Sequence, residues 1–175
     1  TNNHHIVESC FKALARALHA RGLCPGDHVA VMTYNLPERA EINAAVTLLQ
    51  ASVIAIPYQM KPSEIEYLVE NSDTRMLFFG QEFADRILPH RDRYPELLPK
   101  GFICFGPKTP AGAVDYESLF IDPPPLDFAA LPPAEHPAQT MIYTSGTTGR
   151  PKGAARGLDA MDKPGMQEYL FALIS

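Results

Sequence analysis

Apolar positions early in the chain follow the spacing of an α-helix. In residues 6–21 they recur every four positions, which places them on one face of an amphipathic helix. Gly22 follows this stretch and is a suitable C-cap, because glycine adopts positive φ without a steric penalty. Pro37 suits the first turn of a second helix, where a backbone N–H would have no intrahelical partner. Helices after the first are predicted over residues 37–50, 63–71 and 82–88.

The helix predicted at residues 63–71 carries a start signal of its own. Ser63 is followed three positions later by Glu66, which is the spacing of a capping box. In that arrangement the two side chains accept hydrogen bonds from backbone N–H groups that the first turn leaves unpaired. The sequence therefore predicts Ser63 as the N-cap of this helix.

Short apolar runs separate the predicted helices and are typical of buried strands. They lie at residues 28–33, 52–57, 75–79, 102–105 and 140–144. Strands that alternate with helices predict an α/β fold, with a mainly parallel sheet and helices on both faces. Ligands of such sheets bind at the carboxyl ends of the strands, so the residues that follow the last strand are candidates for chemistry.

A proline-rich connection precedes the last predicted strand. Residues 122–137 contain six prolines, which exclude a helix and a central strand because proline fixes φ and lacks a backbone donor. We expect a connection that follows the protein surface. The alternative is a docking peptide for a partner domain, but the stretch lacks the basic anchor that such peptides carry.

Composition and charge narrow the class of protein. The 175 residues are 46% hydrophobic and 20% charged, which is ordinary for a soluble globular domain with a sizeable core. The formal net charge of -5 argues against nucleic acid and anionic membrane surfaces as partners, since both require clustered lysine and arginine. No apolar run approaches the roughly 18 residues of a membrane span.

Cysteine and histidine usage favours a cytoplasmic protein without a metal site. Cys10, Cys24 and Cys104 are odd in number and show no C-x-x-C spacing, so neither a disulfide framework nor a structural zinc site is predicted. A reducing cytoplasm fits this pattern. The six histidines have no ligand-like spacing, and no metal ligands are predicted among them.

Residues 143–153, directly after the last predicted strand, have the composition of a phosphate-binding loop. Glycines let backbone N–H groups approach a phosphate closely, hydroxyls donate hydrogen bonds, and a long cationic side chain reaches a non-bridging oxygen. The residues with these properties are Gly146 and Gly149, Ser145, Thr147 and Thr148, and Lys152. An ordinary surface turn rich in glycine, serine and threonine is the alternative interpretation.

The loop does not follow the Walker A pattern of P-loop NTPases, G-x-x-x-x-G-K-[ST]. Counted from Gly146, the second required glycine is Pro151, and Gly153 takes the place of the magnesium-binding Ser or Thr. Pro151 also biases the residue before it towards extended geometry, so we do not expect a helix to start immediately after the loop.

The string Tyr-Thr-Ser-Gly-Thr-Thr-Gly-Arg-Pro-Lys-Gly at residues 143–153 closely resembles the phosphate-binding signature of the AMP-forming adenylating superfamily. That superfamily contains acyl-CoA synthetases, luciferases and peptide-synthetase adenylation domains. Residues 22–31 are similar to its G-x-x-P-G-D-x-V-A segment, and residues 62–72 to its S-E-I-x-Y-x-x-x-x-S helix. The resemblance covers residues 6–157, and among the branches it looks most like the acyl-CoA synthetases.

The resemblance implies an acid–thiol ligase that activates a small carboxylic acid. In that family the carboxylate attacks Mg-ATP, pyrophosphate leaves, and a thiol such as coenzyme A takes the acyl group from the adenylate. ATP, Mg²⁺ and coenzyme A are therefore the implied cofactors. The residues that the resemblance implies as triphosphate contacts are Thr144, Ser145, Gly146, Thr147, Thr148, Gly149 and Lys152.

The resemblance also implies that much of the family's machinery lies beyond residue 175. Neither a Y-G-x-T-E segment nor a C-terminal domain with its lysine is found, so no catalytic set is complete. We expect residues 1–175 to be a partial N-terminal AMP-binding domain that is inactive alone.

The final segment departs from the commonest family pattern. The histidine that usually follows the loop's strand is missing here, and residues 165–174 are predicted to form a helix. The apolar side of that helix, without later sequence to cover it, would promote self-association.

Two alternative functions stay open from the sequence. Within the enzyme class, the chain could belong to an aryl-acid ligase or to an adenylation domain that loads a carrier protein. In a different class, it could be a non-catalytic nucleotide-binding or partner-binding module built from the family's first subdomain.

Overall fold

The computed structural model describes residues 2–94, 97, 99–136, 138–145 and 151–157. Within these ranges, side chains are described except at residues 2–7, 142–145 and 151–157. The helices are α1 Asn2–Ala20, α2 Pro37–Leu48, α3 Pro62–Asn71 and α4 Ala84–Ile87. The strands are β1 His28–Met32, β2 Ser52–Ala55, β3 Thr74–Gly80, β4 Phe102–Phe105, β5 Val114–Asp115, β6 Gln139–Ser145 and β7 Pro151–Gly157.

The strands form one sheet in the order β5-β4-β3-β1-β2-β6-β7. Every neighbouring pair is parallel except β6 and β7, which are antiparallel. The predicted α/β fold with a mainly parallel sheet is therefore confirmed, and each predicted strand is present. The short edge strand β5 and the strand β7 were not predicted.

Helices cover both faces of the sheet, because alternate residues of each strand point to opposite faces. On one face, α1 and α2 pack on Val29 and Val31 of β1. On the other face, α3 and α4 pack on Ala30 and Met32 of the same strand. The central strands are thus buried on both sides, which explains their continuous apolar sequence.

Local sequence sets the C-terminal end of α1 and the start of α2. Gly22 has φ of 98°, and its N–H donates to the carbonyl of His19 at 2.8 Å. This is the positive-φ position at the end of α1 that the sequence predicts. Pro37 is the first residue of α2, also as expected.

The predicted capping box of α3 is wrong by two positions. The helix begins at Pro62, and Lys61 is its N-cap. The carboxylate of Glu64 accepts a hydrogen bond from the backbone N–H of Lys61 at 2.7 Å. Because proline is favoured at the first helical position, Ser63 lies inside the first turn instead of preceding it.

The helix predicted at residues 82–88 is only partly α-helical. A single turn, α4, is flanked by the 3₁₀ segments Gln81–Phe83 and Leu88–Arg93. Pro89 follows α4 closely and cannot donate a backbone hydrogen bond to extend the helix.

The proline-rich connection packs on the core that α1 and α2 form with the sheet. Leu126, Phe128 and Leu131 pack against that core, and the N–H of Ala134 donates to Oε1 of Gln50 at 3.0 Å. Its regular structure within the described residues is the 3₁₀ turn Phe128–Ala130. Among the helices described, none has both the length and the apolar content needed to cross a bilayer.

Candidate functional site

Strand β6 delivers the candidate loop to the carboxyl edge of the parallel sheet. It runs parallel to β2, with Val53 opposite Thr140 and Ala55 opposite Ile142. The N–H of Gln139 donates to Oγ of Ser52 at 3.1 Å, which anchors the start of the strand. The loop therefore leaves the sheet at the same edge as the carboxyl ends of β1 and β2, where the sequence predicts it.

Strand β7 returns from the loop directly alongside β6. Ser145 is paired with Pro151, and Thr144 with Lys152. The backbone around the loop is thus strand–loop–strand, whereas a Walker A loop leads into a helix. The expectation that no helix starts after the loop is confirmed.

The described backbone brings three of the predicted site residues together. Thr144 and Ser145 end β6, and Lys152 is the second residue of β7. Partners in an antiparallel pair have Cα atoms roughly 4.5–5.5 Å apart, so Thr144 and Lys152 are neighbours across the hairpin. The remaining predicted residues, Gly146, Thr147, Thr148 and Gly149, lie outside the described residues, as does the helix predicted at 165–174.

A pocket of about 430 Å³ opens at the same edge, beyond the ends of β1 and β2. Thr33, Tyr34, Asn35, Arg39 and Tyr58 are among its lining residues. The rings of Tyr34 and Tyr58 are 5.0 Å apart between centroids and inclined by 55°. Sequence reasoning missed these residues, although polar and aromatic side chains directly after two apolar strands were a usable signal.

The described part of the chain contains no cluster of three or more histidine, cysteine, aspartate or glutamate side chains that could hold a metal ion. The described side chains at this edge include the hydroxyls of Thr33, Tyr34 and Tyr58 and the guanidinium of Arg39. Such groups suit binding of anions and of polar groups on an organic ligand.

An α/β domain with a glycine-rich hairpin loop at its carboxyl edge defines the class, and comparison with known proteins supplies the family. The family model described as AMP-binding enzyme matches residues 6–161. The chain belongs to this family, which is the AMP-forming adenylating superfamily that the loop sequence resembles.

Two relatives illustrate the range of acids and acceptors in the family. A fatty acid–acyl-carrier-protein ligase of Streptomyces coeruleorubidus is 30% identical over 80% of this chain and 25% of its own length. A 3-oxocholest-4-en-26-oate–CoA ligase of Rhodococcus rhodochrous is 30% identical over 84% of this chain and 27% of its own length. The chain therefore spans about a quarter of the length of these relatives.

The fold is shared with solved structures of adenylating enzymes. The crystal structure of the anthranilate CoA ligase AuaEII, in complex with anthranoyl-AMP, matches with a TM-score of 0.72 and 24% identity. The match covers 86% of this chain and 28% of that enzyme. At this identity the comparison supports the fold and leaves the substrate open.

Proposed function

We propose that this chain is part of the N-terminal AMP-binding domain of an ATP-dependent carboxylate–thiol ligase. The observation that carries the proposal is the family's signature loop at residues 143–153, between two strands at the carboxyl edge of the sheet. Membership of the AMP-binding enzyme family supports it. The names of the two relatives, one a carrier-protein ligase and one a CoA ligase, also agree with it.

The proposed reaction has two steps. A carboxylate oxygen of the acid attacks the α-phosphorus of Mg-ATP, the bond from that phosphorus to the β-phosphate oxygen breaks, and pyrophosphate leaves. A thiol sulfur then attacks the acyl carbon, the thiol loses its proton, and AMP leaves with the electron pair of the acyl–oxygen bond. Coenzyme A is the proposed thiol, and a carrier protein is the second candidate because the Streptomyces relative is named for one.

The proposed task of the loop is to hold the triphosphate and to stabilise the departing pyrophosphate. Negative charge builds up on that group in the first step, and prearranged donors that face developing charge are each worth roughly 2.7–4 kcal/mol in other enzymes. The proposed donors are the hydroxyls and backbone N–H groups of residues 144–149, with the ammonium of Lys152. The backbone pairing of Thr144 with Lys152 supports a joint role for the two strand ends.

Binding of Mg-ATP to the 175-residue chain tests the role of the loop. We expect a titration to shift the backbone amide signals of residues 143–153, and Lys152→Ala to weaken the apparent affinity about tenfold or more, as the loss of a charge-assisted contact. Lys108→Ala is the matched control, because Lys108 is an exposed lysine near the end of β4. Equal affinities for the two variants, or no shift in the loop at millimolar Mg-ATP, would contradict the proposal.

Carboxylate-dependent exchange of labelled pyrophosphate into ATP tests the reaction itself. It should be measured with short-chain, long-chain and aromatic acids, on this chain and on a version extended along its own reading frame. We expect exchange in the extended version and its loss in Lys152→Ala without a matching fall in melting temperature. Equal losses of activity and melting temperature would make the lysine a structural residue.

A further inference from the structure

The connectivity of the sheet creates a crevice between β1 and β2. The chain leaves β1 towards α2, which packs on one face of the sheet, and leaves β2 towards α3, which packs on the other. The two strands are parallel neighbours, so their following segments diverge to opposite faces. Ligands of open α/β sheets bind in crevices of this kind, outside the carboxyl ends of the strands.

The pocket of about 430 Å³ occupies this crevice. Thr33 comes directly after β1, and Pro57 and Tyr58 come shortly after β2. A volume of this size lies within the roughly 300–1,000 Å³ range of small-molecule sites. The pocket therefore has both the place and the size of a ligand site.

A buried hydroxyl that has no hydrogen-bond partner among the described residues lines the pocket. Thr33 is only 4% exposed, and its Oγ1 has no hydrogen-bond partner within the described part of the chain. Leaving a buried hydroxyl unpaired is unfavourable, because the group has lost its hydrogen bonds to water and gained none in return. A ligand group that pairs with Oγ1 would remove this penalty.

The pocket also contains a cation with no counter-charge among the described residues. The guanidinium of Arg39 forms no hydrogen bond or ion pair with any described residue. Arg39 lies in the first turn of α2, whose positive helix end favours anions nearby. Glu38 of the same turn does not line the pocket. An oxyanion is the chemical group that this environment favours.

Two tyrosine rings, inclined to each other by 55°, line the same pocket as the cation. Tyr34 and Tyr58 are 47% and 44% exposed, and Tyr34 also contacts the ring of Phe83 at 5.2 Å between centroids. Nη1 of Arg86 donates to the carbonyl of Tyr58 at 2.7 Å, which anchors the backbone that carries the Tyr58 ring. Rings held in this way can contact a planar ligand group.

We propose that this crevice is a second small-molecule site, lined by residues other than those of the phosphate loop, for a ligand that carries an oxyanion next to a planar ring. Arg39 binds the oxyanion, Oγ1 of Thr33 hydrogen-bonds to the ligand, and the tyrosine pair contacts the ring. The oxyanion is a phosphate or a carboxylate. The site draws on β1, β2 and α2, so it does not depend on the proposed role of residues 143–153.

Amide chemical shifts of the 175-residue chain test the site. The probes are AMP, which joins a ring to a phosphate, benzoate, which joins a ring to a carboxylate, and inorganic phosphate and adenosine as single-feature controls. We expect AMP or benzoate to shift the amides of residues 33–39 and 58–59 at millimolar concentration, and either control probe to shift them less. The stronger of the two joined probes identifies the kind of oxyanion.

Variants separate this site from the phosphate loop. We expect Arg39→Gln to weaken the response of residues 33–39 about tenfold or more, whereas Arg91→Gln, at an exposed arginine outside the pocket, leaves it unchanged. Thr33→Val keeps the side-chain shape and should also weaken binding. Lys152→Ala should not change the response, whatever its effect on ATP.

Two results would overturn the proposal. One is the absence of any shift at residues 33–39 and 58–59 with all four probes, while the amide spectrum of the free chain is that of a folded protein. The other is an equal response in Arg39→Gln and Arg91→Gln. In either case the crevice would be a surface depression without a ligand. The proposed function of the loop would not be affected, because the Mg-ATP titration tests it separately.

Discussion

Tyr116 makes a buried polar contact that connects two parts of the fold. Its ring packs edge-on against Phe78 and Phe105, and its hydroxyl donates to Oε2 of Glu41 at 2.6 Å. Burial is the main cause that raises the pKa of Tyr116, and the hydrogen bond and charge of Glu41 raise it further. The phenol therefore stays protonated at neutral pH and links the segment after β5 to α2.

Tyr116→Phe should destabilise the fold by about 2 kcal/mol, since Glu41 loses its donor while the ring packing is kept. The measurement is the midpoint of urea unfolding at neutral pH. Tyr67→Phe is the control, because the hydroxyl of Tyr67 has no hydrogen-bond partner among the described residues. It should change stability by less than about 0.5 kcal/mol. Equal midpoints for the two variants would mean that the contact with Glu41 contributes nothing.

Individual candidate site residues could be proposed from the sequence only where a local pattern contains them. Thr144 and Lys152 belong to a contiguous loop signature, and the structure pairs their backbones across the hairpin. Thr33 and Tyr58 lie 25 positions apart in the chain and share a pocket because β1 and β2 are neighbours. No local pattern contains that adjacency, so the sequence could indicate each residue separately, after its own strand, but not that the two share a pocket.

The sequence predicted a strand correctly where an apolar run is buried on both faces of the sheet. Both ends of strand β4 are predicted correctly, because Phe102–Phe105 is apolar throughout and lies between Gly101 and Gly106. Strand β7 has the sequence Pro-Lys-Gly-Ala-Ala-Arg-Gly, with low strand propensity. It is a strand because β6 offers it a free edge immediately after a short loop. Pairing therefore overrides propensity at this position.

The start of α3 provides a direct test at the level of one element. Glu64→Ala removes the carboxylate that accepts the N–H of Lys61 and should lower stability by about 1 kcal/mol. Ser63→Ala should change it by less than about 0.5 kcal/mol, because the helix already begins at Pro62. Urea unfolding of both variants decides between the two registers of the cap. A larger loss of stability in Ser63→Ala than in Glu64→Ala would support Ser63 as the N-cap, as the sequence predicts.

The sequence predicted the class of sheet, which is mainly parallel, but not the order of its strands. Alternating strands and helices imply a parallel sheet, yet they do not say that β3 pairs with β1 on the side opposite to β2. That order results from two successive crossovers that cover opposite faces with α2 and α3. The same feature opens the crevice between β1 and β2, so the second candidate site is a property of the global topology.

Three protonated groups in the cores make the stability of the whole molecule sensitive to alkaline pH. Burial is the main cause that raises the pKa of Cys104 from 9.0 to about 11, with Glu82 and Asp115 adding to it. Burial likewise raises the pKa of Tyr94 from 10.0 to about 12, with a contribution from Glu66. The pKa of Tyr116 is raised in the same direction.

Each of these groups binds its proton more tightly in the folded state than in the unfolded chain, so unfolding releases protons at high pH. Their contribution to stability is complete below pH 9.0 and is lost as pH rises towards 11 and above. We expect the free energy of unfolding, from urea titrations at successive pH values, to fall over this window. The fall should be shallower above pH 10.0 in Tyr116→Phe, which lacks one titrating group. A constant free energy across the window would show that the three groups are reached by solvent in the folded protein.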